Sequence, residues 1–397
     1  MASHRTTSRK PVSRNGRARS HSRLRSRAGI VALALGLLAL AALGIFLARR
    51  GRLPFISRPV PEPDRLRTAA RIRMAIERAG GDDAWVKTPP YAPFPPQAAG
   101  AAEAVVAASH YDDVLAAMAG QAARDHFQLK STTWRAGGHE RLTELRCLRG
   151  GTEYGRWLIR EVPKIRHAAL VIDDLGQDLE AAHKLVQLPY PITFAVLPHL
   201  VYSTATAEEA HRVGREVMLH LPMEPDSGVR PGPGEIRVGM SRAEVERLVD
   251  EDLSSVPFVS GVNNHMGSRA TADERLMKVV IETLAERRLF FVDSRTTAQS
   301  VALEVARRRG IPATFRSVFL DDVETVPYTV GRLREFLRLI ETQDAALAIG
   351  HPHPTTLAAL ERFLPELERH NVRIVPASQL LRLPATARLS PPPPNVR

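Results

Sequence analysis

The chain has 397 residues, a formal net charge of +12 and one cysteine. That length fits one large domain with additions, or two or three domains, and supports a sizeable core. The lone Cys147 excludes an intramolecular disulfide and a Cys-rich zinc site.

The charge is local. Residues 1–52 hold twelve Lys and Arg and no Asp or Glu, and removing them leaves 43 basic against 43 acidic residues. The globular part therefore lacks the basic excess that dominates nucleic-acid affinity, and no nucleic-acid partner is expected. Residues 1–27 read as a basic cytoplasmic tail, and residues 28–48 are 21 consecutive uncharged, mostly aliphatic residues. About 20 such residues span a bilayer as a helix. Nine basic residues precede the run and three follow it, which keeps the tail inside. The expectation is a single-pass anchor in the inner membrane with the rest of the chain in the periplasm or outside. The alternative is a signal peptide cleaved near Ala39-Leu40-Ala41, followed by secretion.

Residues 49–64 carry four prolines and read as a linker. Residues 65–160 read as a small α+β module, with helical periodicity at 65–80 and 111–127 and alternating strands at 139–149 and 153–162 joined by Gly150-Gly151. A proline-rich break lies at 87–97. The module shows no site and is expected to act as a spacer or to contact an envelope protein partner.

From residue 165 the texture changes. Apolar strands at 168–172, 192–197, 216–221, 258–262, 289–293, 314–320, 345–350 and 372–376 alternate with amphipathic helices. Capping boxes are expected at Ser241-x-x-Glu244 and Thr271-x-x-Glu274. Repeated βα units of this kind predict an α/β fold with parallel strands buried on both faces. The closed form is a distorted (β/α)7-8 barrel over 165–382, and an open doubly wound sheet is the alternative. Residues 383–397 read as a Pro-rich disordered tail.

Polar residues gather at the C-terminal strand ends, where barrel sites form. They are Asp173 and Asp174, His220, the Asn263-Asn264-His265 run, Asp293, Asp321 and His351. Carboxylates and imidazoles in one rim suit a divalent metal, zinc above all, with a metal-bound water, a carboxylate base and a histidine acid. Each residue also has a structural reading. An Asp can cap a helix, His220 can be a hydrogen-bonded core residue, His265 and His351 can shape loops, and His199 and His353 read as surface residues.

The segments "VIDDLG", "EVMLHLPMEP", "GVNNHMGS", "FFVDSRT", "FLDD" and "AIGHPHPTT" resemble, in this order, the divergent polysaccharide deacetylase family. The resemblance implies a distorted barrel of the carbohydrate-deacetylase superfamily and metal-dependent removal of acetyl groups from an envelope polysaccharide or peptidoglycan-type glycan. It implies Asp173 as base, Asp174 and His220 as metal ligands and His351 as acid. Where standard members have a second histidine four residues after the first, this chain has Glu224. His265 is the expected replacement as third ligand, with Glu224, Asn264 and Asp321 as further candidate ligands or supports. Asp293 is a further candidate catalytic carboxylate, and Arg269 and Arg316 are candidate substrate-binding residues. The alternative is an inactive envelope protein that binds a glycan or a partner with the same cleft. A metal-free glycosidase would need a second carboxylate, Glu224 or Asp293, opposite Asp173.

Overall fold

The computed structural model describes residues 62–87, 101–137 and 140–384. The tail, the 28–48 segment and most of the linker lie outside these residues. Among the described residues no helix is long and apolar enough to cross a membrane.

The N-terminal part is one five-stranded sheet carrying two helices, α1 (Glu62–Gly80) and α2 (Tyr111–Arg124). Its strands are β1 (Ala84–Lys87), β2 (Ala101–Ala107), β3 (Gln128–Ala136), β4 (Glu140–Arg149) and β5 (Thr152–Val162), in the order β1-β2-β5-β4-β3. The β4–β5 hairpin turns on Gly150 and Gly151, both in the left-handed region (φ 57° and 81°) that glycine adopts freely. Ile72, Ile76, Tyr111, Met118, Cys147 and Trp157 form the core between helices and sheet. Burial pushes the Cys147 thiol up to about 11, so it stays a small apolar group.

Sequence reasoning finds only two of these five strands. The sequence of β2, "AAEAVVA", is alanine-rich and favours helix by propensity. Its parallel pairing with β5, Ala101–Ala107 beside Arg156–Val162, overrides that preference.

The second sheet is parallel and curled. Its strands are β6 (Arg166–Leu175), β7 (Thr193–Val196), β8 (Val217–Met223), β9 (Val259–Met266), β10 (Phe290–Asp293), β11 (Ala313–Phe315), β12 (Val318–Phe319), β13 (Ala345–Gly350) and β14 (Val372–Ile374). The order is β11-β10-β9-β8-β7-β6-β13-β12. The strand expected at 314–320 is thus two strands at opposite edges of the sheet. Arg316 N bonds the Asp293 carbonyl and Ser317 N the Leu347 carbonyl, so two residues step across the gap. The result is a curled half-barrel, consistent with a distorted barrel, whose two edges are joined by this chain link and not by a ladder. β14 pairs only with Arg166–Ala168 at the start of β6 and takes no place in the ring.

Two apolar layers cover the sheet. Ala168, Leu170, Ile172, Phe194, Leu219, Val262, Phe291 and Ala348 join the helix-side core, while Ala169, Val171, Met218, Val292, Leu347 and Ile349 form the inner one. This alternation is the period-two side-chain pattern of a strand, and it decides which rim residues can meet.

The N-terminal sheet sits at the opposite end of these strands from the polar rim. His167 Nε2 meets the Asp82 carbonyl at 3.1 Å, and Arg373 Nη1 bonds the Ala84 carbonyl at 3.1 Å. His167 precedes Asp173 by six residues of strand, about 20 Å. The expected Ser241–Glu244 capping box forms on the helix at Arg242–Ser255. The one expected at Thr271 does not. The helix at Glu274–Glu286 is capped by Asp273, which accepts from Leu276 N, and the Thr271 hydroxyl donates to the Gly267 carbonyl instead.

Candidate metal centre

The strand alternation carries directly into the rim. Asp173 continues the inner face of Ala169 and Val171, His220 that of Met218, and His351 that of Leu347 and Ile349. On β9 the inner face is Gly261, Asn263 and His265, because Val262 faces the helices. By the same rule Asp174 should point away from Asp173. It does not, because β6 is bulged there. Its pairing with β7 shifts register between Ile172 and Leu175, and Asp174 has φ 57°. The bulge turns both neighbouring carboxylates toward one histidine.

Three ligand-type atoms converge. Asp174 Oδ1 lies 3.1 Å from His220 Nε2 and 2.9 Å from His265 Nδ1, and the two ring nitrogens are 3.1 Å apart. Although two nitrogens lie within contact distance, Asp174 Oδ1 is buried without a well-formed hydrogen bond. Three ligand-type atoms within about 3 Å of one another, one of them a buried carboxylate oxygen without a well-formed hydrogen bond, are an arrangement a cation would satisfy. Donors bound at about 2.0–2.1 Å to a common zinc ion lie about 3 Å apart, so spacing and donor type both fit.

The ring orientation of His220 is fixed from behind. Asn263 Nδ2 donates to Asp173 Oδ1 at 2.8 Å and to the Ser294 hydroxyl at 3.2 Å. Its Oδ1 therefore faces His220 Nδ1 at 2.9 Å, which places the proton on Nδ1 and leaves Nε2 with a lone pair for the shared point. Asp173 Oδ2 is 3.6 Å from the same Nε2.

On the far side, His351 Nε2 stands 3.8 Å from Asp174 Oδ2. His351 Nδ1 is 3.0 Å from Asp321 Oδ1, while Asp321 Oδ2 accepts from His351 N and from the Thr356 hydroxyl, each at 2.6 Å. Asp321, His351 and His353 also lie close together. These three bonds make Asp321 the group that orients the His351 ring.

The remaining expectations are corrected by geometry. Glu224 is not at the centre: Oε2 accepts from Val238 N and Oε1 pairs with Arg269 Nη1, both at 2.8 Å, because the chain leaves β8 at Met223 and folds back over Ile236. Arg269 is thereby committed to Glu224. Asn264 points to the other face of β9, where it accepts from Ser294 N and donates to the Met266 carbonyl. Asp293 shares the helix-side face with Phe291, and accepts from Arg295 N and the Ser300 hydroxyl. It shapes the loop after β10 and does not join the converging group. With Glu224 and Asp293 both occupied, no second free carboxylate faces Asp173 among these candidates, which removes the basis of the glycosidase reading. Arg316 lies at the rim and donates to the carbonyls of Ser294 and Arg295. The sequence places Asn263 in the polar rim without a role and marks neither Ser294 nor Thr356; counting alternate residues from the apolar runs puts Asn263 on the inner face.

Burial and charge separate the two carboxylates. Burial raises Asp173, and the nearby His220 and His351 only partly oppose it. For Asp174 burial also acts upward, but the adjoining His220 and His265 rings overrule it and hold the group far below the usual carboxylate range. Burial would lower His351; the Asp321 hydrogen bond and the charge of Asp173 reverse this and push it up to about 9.

Comparison with known proteins agrees with the segments noted above. The sequence pattern of the family described as divergent polysaccharide deacetylase matches residues 170–381. An uncharacterized protein of Haemophilus influenzae is 38% identical over 201 residues, covering 50% of this chain and 72% of the relative. The uncharacterized protein YibQ of Escherichia coli is 34% identical over 224 residues, covering 56% and 70%. Among solved structures, an uncharacterized protein of Agrobacterium tumefaciens shares the fold with a TM-score of 0.53 and 24% identity, covering 54% of this chain and 89% of that one.

Proposed function

We propose that this chain, which belongs to the divergent polysaccharide deacetylase family, is a metal-dependent hydrolase that removes acetyl groups from an envelope polysaccharide or peptidoglycan-type glycan. The observation that carries this reading is the convergence of Asp174 Oδ1, His220 Nε2 and His265 Nδ1, with the carboxylate oxygen buried and unsatisfied.

Asp174, His220 and His265 would hold a divalent ion, zinc by donor type. Such an ion lowers the pKa of a bound water toward about 7 and polarises a carbonyl. Asp173, raised by burial and positioned by Asn263, takes the proton of the attacking water. His351, protonated near neutrality and steered by Asp321, gives a proton to the departing amine or alcohol.

The purified protein should carry about one zinc-like ion per chain and release acetate from acetylated chito-oligosaccharides or peptidoglycan. A metal-free protein with intact side chains would sink the metal reading. Metal without acetate release would favour a glycan- or partner-binding protein, a reading that the engagement of Glu224 away from the centre supports.

The 21-residue apolar run at 28–48 supports an inner-membrane anchor with the barrel outside. Protease added to spheroplasts should then digest the barrel, and protection would overturn this topology. The N-terminal sheet suits a protein contact: β3 pairs only with β4, and Trp134 is 42% exposed on it.

A further inference from the structure

The helix α1 has two apolar faces. Ile72 and Ile76 are buried in the core with Tyr111 and Met118. On the other side Leu66, Ala70 and Met74 follow at intervals of four residues and form one stripe along the helix. Leu66 is 59% and Met74 56% exposed, so the fold itself gives neither a place to pack. Helical spacing sets Arg73 on one border of the stripe and Arg67, Arg71 and Arg78 on the other, all four exposed. On α2, Ala116, Ala119 and Ala123 are exposed as well. A groove between the two helices is lined by Arg71, Met74, Arg78, Ala117, Gln121 and Arg124.

The positive charge of this face is only partly answered within the chain. Arg71 pairs with Asp125 and Arg73 with Glu77, but Arg67 and Arg78 pair with no described carboxylate, and Arg124 donates to the Gln121 amide oxygen. An apolar stripe bordered by arginines is the pattern of a helix lying in a membrane interface. There the apolar side chains enter the acyl boundary and the guanidinium groups reach phosphate. The sequence before α1 points to the same partner. Residues 49–61 separate α1 from the apolar run at 28–48, and these 13 residues span at most about 45 Å. They hold Arg49, Arg50, Arg52 and Arg58 and no carboxylate, a composition that anionic lipid attracts.

We propose that the exposed side of α1, with the adjoining edge of α2, lies on an anionic phospholipid surface. The Leu66-Ala70-Met74 stripe enters the headgroup layer, and Arg67, Arg71, Arg78 and Arg124 bind lipid phosphate. This goes beyond the deacetylase reading and rests on the reading of residues 28–48 as an anchor. The anchor supplies proximity, and the helix face supplies orientation. Because the N-terminal sheet sits at the opposite end of the β6 strand from the metal centre, the contact leaves the rim clear of lipid.

The test uses the full chain, reconstituted into vesicles of phosphatidylcholine alone or of equal parts phosphatidylcholine and phosphatidylglycerol. The native Cys147 is buried with its thiol pushed up to about 11, so a polarity-sensitive maleimide dye marks only an introduced cysteine. On Met74→Cys the dye emission should shift to the blue in the phosphatidylglycerol vesicles, and high salt should reverse the shift. On Val201→Cys, at the rim and 87% exposed, it should not move. Arg67→Gln combined with Arg78→Gln, two exposed positions with no described ion pair, should remove most of the Met74→Cys shift. An inserted chain without that shift, or one that shifts at position 201 instead, would overturn the proposal. So would a blue shift that grows with protein concentration before lipid is added, which would place a second copy on this face. Extraction of the chain by alkaline carbonate would refute the anchor reading separately. Cosedimentation with the phosphatidylglycerol vesicles then tests the face alone: weaker binding of the double arginine variant supports it, and equal binding or none overturns it.

Discussion

Asp173 and Asp174 are adjacent in sequence and face the same imidazole: Asp173 Oδ2 lies 3.6 Å and Asp174 Oδ1 3.1 Å from His220 Nε2. A regular strand would send them to opposite sides. The register shift in β6 and the left-handed Asp174 bring them together and leave them in different states, one raised by burial, one held low by two rings. A carboxylate suited to taking a proton thus stands beside one suited to a cation.

This division makes the ligand set testable. Asp174→Ala and His265→Ala should each abolish stoichiometric zinc binding, read by metal analysis after dialysis. Glu224→Ala should retain the ion, because that carboxylate serves Val238 and Arg269. Loss of zinc in Glu224→Ala with the fold intact would show that the third ligand had been misassigned.

Asn263 links base and ligand without touching the convergence point. Its truncation to Ala frees the His220 ring to adopt the other tautomer and strips Asp173 of a donor. Zinc affinity should fall about 10- to 100-fold, the usual range for residues that orient a metal-binding histidine. Competition against a chelating dye measures this, and an unchanged affinity would refute the linkage.

The strands of the curled sheet were legible because parallel strands buried on both faces read as continuous apolar runs. The rim residues were legible as a group for the same reason, since they break those runs. Which of them meet was harder to read. Asp293 and Asn264 sit at the right strand ends on the wrong face, with Phe291 and Val262, and parity counted from the core would have excluded them. Asp174 defies that parity, because a bulge leaves no mark in composition. The split of the sixth strand was hidden too: Arg316 and Ser317 look like strand residues until their backbone N–H groups are seen to bond different neighbours.

The proposed acid depends on Asp321. His351 is held up at about 9, above the ordinary value near 6.5, so its protonated form adds stability that is fully present below pH 6.5 and is lost as pH rises through 9. Asp321→Asn removes the hydrogen-bonded charge and should bring the ring back toward its ordinary value. At pH 8 the protonated fraction would then drop about thirtyfold. The alkaline limb of kcat/KM should move to lower pH, with little change below pH 6. An unmoved limb would remove His351 as the proton donor.

The floor of the site is set by a glycine. Gly261 lies on the inner face of β9, two residues before Asn263 and four before His265, and a Cβ there would stand 2.3–2.5 Å from three atoms of the Phe290 ring. The ring is 6% exposed and sits on the neighbouring strand, paired Phe290 to Gly261, so it can yield only by displacing β10 or its own packing. Gly261→Ala should destabilise the protein by about 1–3 kcal/mol, the usual result of overpacking a filled core. Any relaxation would tilt β9 beneath Asn263 and His265. Zinc affinity should therefore fall together with stability in this variant, whereas Phe290→Leu combined with Gly261→Ala should restore both. Urea titrations with and without zinc measure the two effects, and a stable Gly261→Ala protein with full zinc affinity would show that the ring does not hold the strand in place.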